Sequence, residues 1–397
     1  MTAADLAPVV RRAVGEESAW PLSWHVESLG WAAVNPATHG LYRLAGVARV
    51  GEADDVGWAV VLKVLGDVDL AGTPLDAGWL HDPQDINYWK REAIAFESGR
   101  LDDWPGPLVA VRCLGVNHTE QDVWLWLEDQ GGAQPRRSWS LEEQAVLTYD
   151  LGAFAAQWAG HAPSASRYPW LLQRWLRDNL TCFKDVGIRH ALDHDGCWKH
   201  PLVVAALPGD AQQRVRNLFD GAEELFAVLE SLPVTLAHHD TQPSNFFIRH
   251  PVDGDGRAVA IDWGFLGLAP VGHDLGCHLW ANIRTWTIDP CEASDLDRDS
   301  TSGYLQGLTD FGWDGDEQAV LFARAAAAAI TTATHYLLDV SSLCEQMPKY
   351  FDSGSWPQQL AQQHQLSGEA LMTRWAAGLD YVLDLGDEAR RLSRVLR

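Results

Sequence analysis

The chain has 397 residues, 47% of them apolar and 21% charged, with 54 acidic against 30 basic residues and a net charge of −24. This length exceeds one small core and fits two or three domains or one bilobal enzyme, and the composition excludes wholesale disorder. Such an acidic surface repels polyphosphate backbones, which argues against a nucleic-acid partner, and it would attract a cationic substrate.

Cys113, Cys182, Cys197, Cys277, Cys291 and Cys344 stand singly, with no CxxC pair. The simplest reading is a reduced, cytoplasmic protein without a structural zinc site. Residues 1–12 hold no continuous apolar run of the kind a signal peptide needs. Leu321 to Leu338 is the longest apolar stretch, but it is rich in Ala and contains Arg324 and His335. It reads as a buried helix and not as a membrane span.

In chain order, Trp24–Leu29, Gly40–Val50 and Trp58–Leu65 read as strands, with turn chemistry at Asn35 to Gly40 between the first two. A loop rich in Gly, Asp and Pro precedes a helix expected over Asn87–Ser98, which carries Trp89, Ala93 and Phe96 on one face. Strands are expected at Leu108–Gly115 and Asp122–Leu127. Beyond Glu128 to Gly132 the pattern turns helical. Ser140 and Glu143 form a capping box, since the hydroxyl satisfies an orphan amide while the Glu reaches back. Leu151, Phe154, Ala155 and Trp158 then recur at helical spacing. Further helices are expected near 168–185, 211–232, 316–340 and 368–396. The fold class is α+β: a five-stranded antiparallel β lobe with one helix over residues 1–128, then a mostly helical lobe over 129–397.

His238-His239-Asp240 is followed by Asn245 and by Ile261-Asp262-Trp263. Phosphoryl transfer needs a positioned hydroxyl and hard oxygen ligands for magnesium. Asp240 and Asn245 supply a carboxylate and a carboxamide on a turn-rich loop stiffened by Pro243. Phe246–Ile248 and Arg257–Ile261 read as a hairpin closed through Asp253 to Gly256, which brings Asp262 back beside Asn245.

The HxDxxxxN spacing followed by an apolar-Asp-aromatic triplet resembles the aminoglycoside phosphotransferase family, which includes choline-kinase-like and other small-molecule kinases and shares the protein-kinase-like fold. The resemblance covers most of the chain. It implies an enzyme that moves the γ-phosphate of ATP, with Mg²⁺, to a hydroxyl of a small acceptor. It implies that Asp240 orients or accepts the acceptor's proton and that Asn245 and Asp262 hold Mg²⁺. His238 and Asp274 would support the catalytic loop. Lys63, in an apolar strand where an unpaired ammonium is costly, resembles the lysine that contacts the α- and β-phosphates. Glu92 on the following helix is its expected partner, with Glu97 the second choice. Thr38 would face the phosphates, and Glu128 lies in the connector where the adenine would bond to the backbone.

The family usually has Gly where His239 stands, so an ordinary backbone conformation is expected at His239. Thr241 to Ser244 also departs from the family's pattern. The acceptor therefore stays open among an aminoglycoside, another amino sugar, an amino alcohol and a protein hydroxyl. The acidic run Trp280 to Asp299, with Asp289, Glu292, Asp295 and Asp297, reads either as a surface for a cationic acceptor or as a solvated loop. Competing readings are a catalytically silent binding protein and a metal-dependent hydrolase built on His238, His239, Asp240 and His273. Nothing in the sequence fixes the oligomeric state.

Overall fold

The computed structural model describes residues 1–30, 37–52, 54–67, 78–101, 106–119, 122–131, 139–183, 192–193, 195–248, 258–343 and 364–397. Helix α1 (Ala3–Val14) comes first and was not expected from the sequence. It has a full capping box, with the Thr2 hydroxyl accepting from Asp5 N–H and the Asp5 carboxylate accepting from Thr2 N–H, and it ends at Gly15 with φ +80°.

Strands β1 (Trp20–Ser28), β2 (Thr38–Val50), β3 (Asp54–Gly66), β5 (Cys113–His118) and β6 (Asp122–Glu128) build a five-stranded antiparallel sheet in the order β1-β2-β3-β6-β5. The period-two pattern divides its two faces. Leu44, Ala48, Val60 and Leu62 pack with Leu6, Val9 and Val10 of α1. Lys63 belongs to the alternate face. Helix α2 (Arg91–Glu97) starts four residues later than expected, and Leu101 and Phe96 join the larger core beneath the sheet. Among the described residues, two α-helices therefore accompany the sheet instead of one.

The strand expected over Leu108–Gly115 breaks into two. Its first part, β4 (Leu108–Ala110), leaves the large sheet and pairs in parallel with β9 (Ala258–Ala260), which pairs antiparallel with β8 (Phe246–Ile248). The β8–β9 hairpin is as expected, while its turn at Asp253 to Gly256 lies outside the described residues. A small sheet thus joins the first third of the chain to the segment that carries Asn245 and Asp262.

The remainder is mostly helical. Helix α3 (Leu141–Trp158) begins with the expected Ser140–Glu143 capping box. Then come α4 (Trp175–Phe183), α5 (Asp195–Trp198), α6 (Pro201–Ala206), α7 (Ala211–Asp220) and α8 (Ala222–Leu229). One helix was expected over 211–232, and Gly221 splits it. Strands β7 (Val234–Ala237) and β10 (Gly267–Pro270) pair antiparallel and flank the site loop. Helices α9 (His273–Thr285), α10 (Ala293–Asp310), α11 (Glu317–Leu343) and α12 (Gly368–Leu396) complete the fold. Helix α11 buries Ala325 to Ala329 completely, and no helix among the described residues is long and apolar enough to cross a membrane. Helices α3 and α10 touch backbone to backbone: a Cβ on Gly152, Gly303 or Gly307 would lie 2.1–2.4 Å from a carbonyl of the other helix.

Asp150 on α3 is buried, with one carboxylate oxygen lacking a partner among the described residues. Burial raises its pKa to about 7, although the Ala258 N–H opposes this. The native state therefore binds more protons than the unfolded chain between the ordinary carboxylate range and pH 7, and stability falls as pH rises through that window. Asp150→Asn is expected to stabilise the protein at pH 8 by about 1–3 kcal/mol and to change little at pH 4. Thermal melts at the two pH values check this, and an unchanged pH slope would place the titration elsewhere.

Candidate active site

The site is assembled by three segments that meet at Lys63. Strand β3 carries the ammonium, which lies 2.6 Å from Glu92 Oε2 and 2.8 Å from Asp262 Oδ1. Burial works to lower the Lys63 pKa, but the charges of Asp262 and Glu92 outweigh it and hold the ammonium protonated. Burial raises the Glu92 pKa against the pull of Lys63. Asp262 goes the other way: burial opposes ionisation, and Lys63 overrides it. Asp262 is thus the firmly ionised carboxylate, and its side chain remains 44% exposed. Glu97 is not at this site. It bonds His118 at 2.8 Å on the sheet's edge.

Asp262 follows β9 with φ +59° and caps a short 3-10 turn, Trp263–Phe265. The left-handed backbone turns its carboxylate toward Lys63, while Trp263 becomes fully buried against His238 and Phe154. Asn245 is brought to the same place by the hairpin, where Ile261 N–H donates to the Asn245 carbonyl at 2.9 Å. Its Nδ2 donates to the Asp240 carbonyl oxygen at 3.0 Å and to Asp240 Oδ2 at 2.8 Å. The amide nitrogen is committed to Asp240, and the side-chain oxygen is left as a hard donor. That oxygen and the exposed Asp262 carboxylate fit a magnesium ion, which takes a few protein oxygens and keeps the rest for water and phosphate.

The loop from His238 to Asn245 is held from behind. Asp274, near the start of α9, accepts from His238 N–H at 2.8 Å and from His239 N–H at 2.9 Å. Thr241 Oγ1 donates to the Asp274 carbonyl. Burial raises the Asp274 pKa to about 6, against those two amides. His238 Nε2 lies 2.8 Å from the Ile261 carbonyl, which can only accept, so the proton is on Nε2 and Nδ1 accepts Asp240 N–H at 3.2 Å. Burial lowers its pKa to about 4, which keeps this tautomer neutral. One ring therefore ties Asp240 to the residue before Asp262. Burial, together with the Asp262 charge, raises the Asp240 pKa to about 7, while Asn245 and Gln242 pull it down.

Several expectations change. His239 has φ +66°, in the left-handed region, where an ordinary conformation was expected. Its ring is buried and stacks on Trp175 at 5.5 Å, so tertiary packing holds a backbone that glycine adopts more easily. Thr38 to Gly40 belong to β2, with a bulge between Thr38 and Gly40, and are not turn residues. His39 there bonds Asp122 at 3.1 Å. Residues 31–36 of the expected phosphate loop lie outside the described residues. Glu128 ends β6 opposite Val60, and its carboxylate pairs with Arg112 at 3.1 Å. Residues 280–299 are mostly helical and only partly an open acidic surface: Glu292 is exposed, while Asp297 is buried. They span the end of α9, a 3-10 turn and the start of α10, with Asp289 paired to Arg374, Asp295 to Arg298, and Asp297 to Arg324 and Tyr381. The histidines of the hydrolase reading make no metal cluster: among the described residues no three His, Cys, Asp or Glu side chains are grouped to hold an ion.

One residue at the site gave no signal in the sequence. Arg91 is fully buried beside Glu92, and its five N–H groups meet five main-chain carbonyls, those of Trp170, Ile86, Gly264, Pro83 and Asp85, at 2.5–3.1 Å. Burial lowers its pKa to about 10, so it stays charged. Through Gly264 it binds α2 to the turn that carries Asp262.

Residues 86–311 match the family model described as the phosphotransferase enzyme family, APH. The chain belongs to that family. It is thus a kinase-type phosphotransferase, and the α+β architecture expected for the family, a five-stranded antiparallel sheet followed by a mostly helical remainder, is the one observed. No curated protein sequence matches the chain. Solved structures that resemble it include an aminoglycoside phosphotransferase from Alicyclobacillus acidocaldarius, at 13% identity and TM-score 0.48, covering 94% of this chain and 93% of that one. Amicoumacin kinase hAmiN, in complex with AMP-PNP, Ca²⁺ and Ami, matches at 12% and 0.47, covering 90% and 88%. A Plasmodium vivax ethanolamine kinase matches at 10% and 0.45, covering 89% and 81%.

Removing Lys63 would leave the buried Glu92 carboxylate without its cation, beside the partly exposed Asp262. Lys63→Met is expected to destabilise the fold by about 3–5 kcal/mol, and Lys63→Met combined with Glu92→Leu to recover part of that loss. Urea denaturation of both variants checks it.

Proposed function

We propose that this phosphotransferase moves the γ-phosphate of ATP to a hydroxyl of a small acceptor, with Mg²⁺ as its metal. The observation that carries the reading is Lys63 held between Glu92 and Asp262, with Asp240 and Asn245 bonded to each other on the adjoining loop. Lys63 would contact the nucleotide phosphates, with Glu92 fixing its direction. Asn245 and Asp262 would hold the metal, which when bound neutralises charge on the transferring phosphoryl group. Backbone groups near Glu128 would take the adenine, and the strand start at Thr38 would approach the phosphates.

Asp240 would take the acceptor proton as the acceptor oxygen bonds to the γ-phosphorus. The bond from that phosphorus to the β-bridging oxygen breaks, and ADP leaves. A carboxylate with its pKa near 7 is better matched to this task at neutral pH than an ordinary Asp. His238 and Asp274 would act by positioning, since between them they fix the Asp240 and His239 backbone amides.

For the acceptor we propose an aminoglycoside, another amino sugar or an amino alcohol. Support for a cationic acceptor is the net charge of −24. Of the acids in residues 280–299, Asp289, Asp295 and Asp297 are already paired, and exposed Glu292 adds to that charge.

The experiment is transfer of γ-phosphate to a panel of aminoglycosides, amino alcohols and neutral sugars. Asp240→Ala is expected to lower kcat by about 10²–10⁴-fold with Mg·ATP binding retained, and Asp262→Ala to lose metal-dependent nucleotide binding as well. Glu97→Ala should behave as wild type. A wild-type protein that never binds Mg·ATP would sink the kinase reading, and one that binds it but phosphorylates no acceptor would favour a scaffold. A preference for neutral sugars would remove the charge argument alone.

A further inference from the structure

Helix α9 carries Asp274, His278 and Asn282 at four-residue spacing, which stacks them on one face. Asp274 takes two amides of the site loop. The other two belong to a separate chain of hydrogen bonds that ends on the same loop. His278 Nδ1 lies 3.2 Å from the Thr241 carbonyl. Asn282 Nδ2 lies 3.3 Å from His278 Nε2 and 2.9 Å from the His278 carbonyl. Gln144 Nε2, in the first turn of α3, donates to Asn282 Oδ1 at 2.7 Å. Thr241, His278, Asn282 and Gln144 are all 0% exposed.

The bonds run in one direction. A carbonyl can only accept, so the His278 proton is on Nδ1 and Nε2 is an acceptor. Burial lowers the His278 pKa to about 4, which keeps the ring neutral. The Asn282 amide nitrogen therefore faces His278, and its oxygen faces Gln144. Apolar side chains of similar shape could fill this buried contact at no greater cost. They could not give the Thr241 carbonyl a donor. Thr241 follows Asp240, whose N–H is held by His238 and whose carbonyl is held by Asn245. The Thr241 hydroxyl is held by the Asp274 carbonyl. With the His278 bond, three consecutive peptide groups from His239 to Gln242 are each fixed. Without it, a buried carbonyl lacks a partner, and the loop gains by turning that peptide group away from its present place.

We propose, on the reading of Asp240 as the group that takes the acceptor's proton, that His278 is a positioning residue for the transfer. It holds the Thr241 carbonyl through Nδ1–H, with Asn282 and Gln144 fixing its ring from behind, and so sets the backbone on which Asp240 is aimed. The chain joins α3 and α9 to the loop and touches neither Lys63 nor Glu92.

Hydrogen exchange of the full chain, read by mass spectrometry over residues 238–245, tests the bond without any kinase activity. His278→Leu and His278→Gln are expected to exchange about tenfold faster there than wild type, the worth of one hydrogen bond, with strand β6 unchanged. His278→Asn should stay within about twofold of wild type, because Asn places an amide N–H where Nδ1 stands, whereas Gln places its own one bond further out, where Nε2 stands. The same order is expected for kcat of Mg·ATP hydrolysis, with water in the acceptor's place. His278→Leu and His278→Gln should lower it about 10–100-fold and leave Mg·AMP-PNP affinity unchanged. A space-filling role alone would favour His278→Gln, since Gln is closer to His in volume. Circular dichroism confirms that each variant is folded. The proposal is overturned if folded His278→Gln matches wild type or outperforms His278→Asn, if loop exchange is unchanged in His278→Leu and His278→Gln, or if Mg·AMP-PNP affinity falls in step with kcat. A wild-type chain without ATP turnover would instead sink the kinase reading, and loop exchange alone then decides whether His278 holds Thr241.

Discussion

The site depends on one ammonium held between two carboxylates. Lys63 alone would be an unfavourable guest in an apolar strand. Glu92 and Asp262 make its burial tolerable, and in doing so they bring the sheet, α2 and the β9 turn together. Glu92 is buried and Asp262 is partly exposed, so the two acids are not equivalent. The first is spent on holding the lysine, and the second still presents charge to the cleft.

Around that ion pair the scaffold relies on main-chain hydrogen bonds. Asp274 takes two consecutive amides of the loop, His238 spans from Asp240 to Ile261, and Arg91 fills five carbonyls, with no acidic side chain paired to it among the described residues. Each of these is insensitive to side-chain rotamers elsewhere. The carboxyl and carboxamide groups keep few other ties: Asn245 and Gln242 donate to Asp240, and Lys63 donates to Asp262. A geometry this heavily tied is largely organised before any ligand arrives, so less ordering has to occur on binding.

The fold class, and the meeting of Lys63, Glu92, Asp240, Asn245 and Asp262 in one place, were legible because they rest on local pattern. Period-two strands, the Ser140–Glu143 box and the Asp240 to Asp262 spacing survive without tertiary information. The choice of Glu92 over Glu97 was also legible, since the two lie on different helix faces and Glu92 is the one at Lys63. What failed was set by contacts distant in sequence. The backbone at His239 is governed by Trp175, 64 positions earlier. The role of Arg91 lies in carbonyls from separate segments, which no side-chain motif records. Asp297 read as an open charge because Arg324 and Tyr381 come from later helices. Helix α1 did carry its signals, Thr2, Asp5 and Gly15, but Pro8 inside it weakens the helical pattern.

The contact between α3 and α10 has a consequence for how this chain can vary. Gly152, Gly303 and Gly307 lie far from the cleft residues in sequence, yet even an alanine there would drive a methyl group into the opposing backbone. Tyr304, between two of them, bonds the Gly272 amide just ahead of α9, so separating the helices would be felt at the end that carries Asp274. These three positions should therefore accept fewer replacements than many residues that touch the cleft, and drift in the acceptor-binding parts can proceed over a spine that hardly changes.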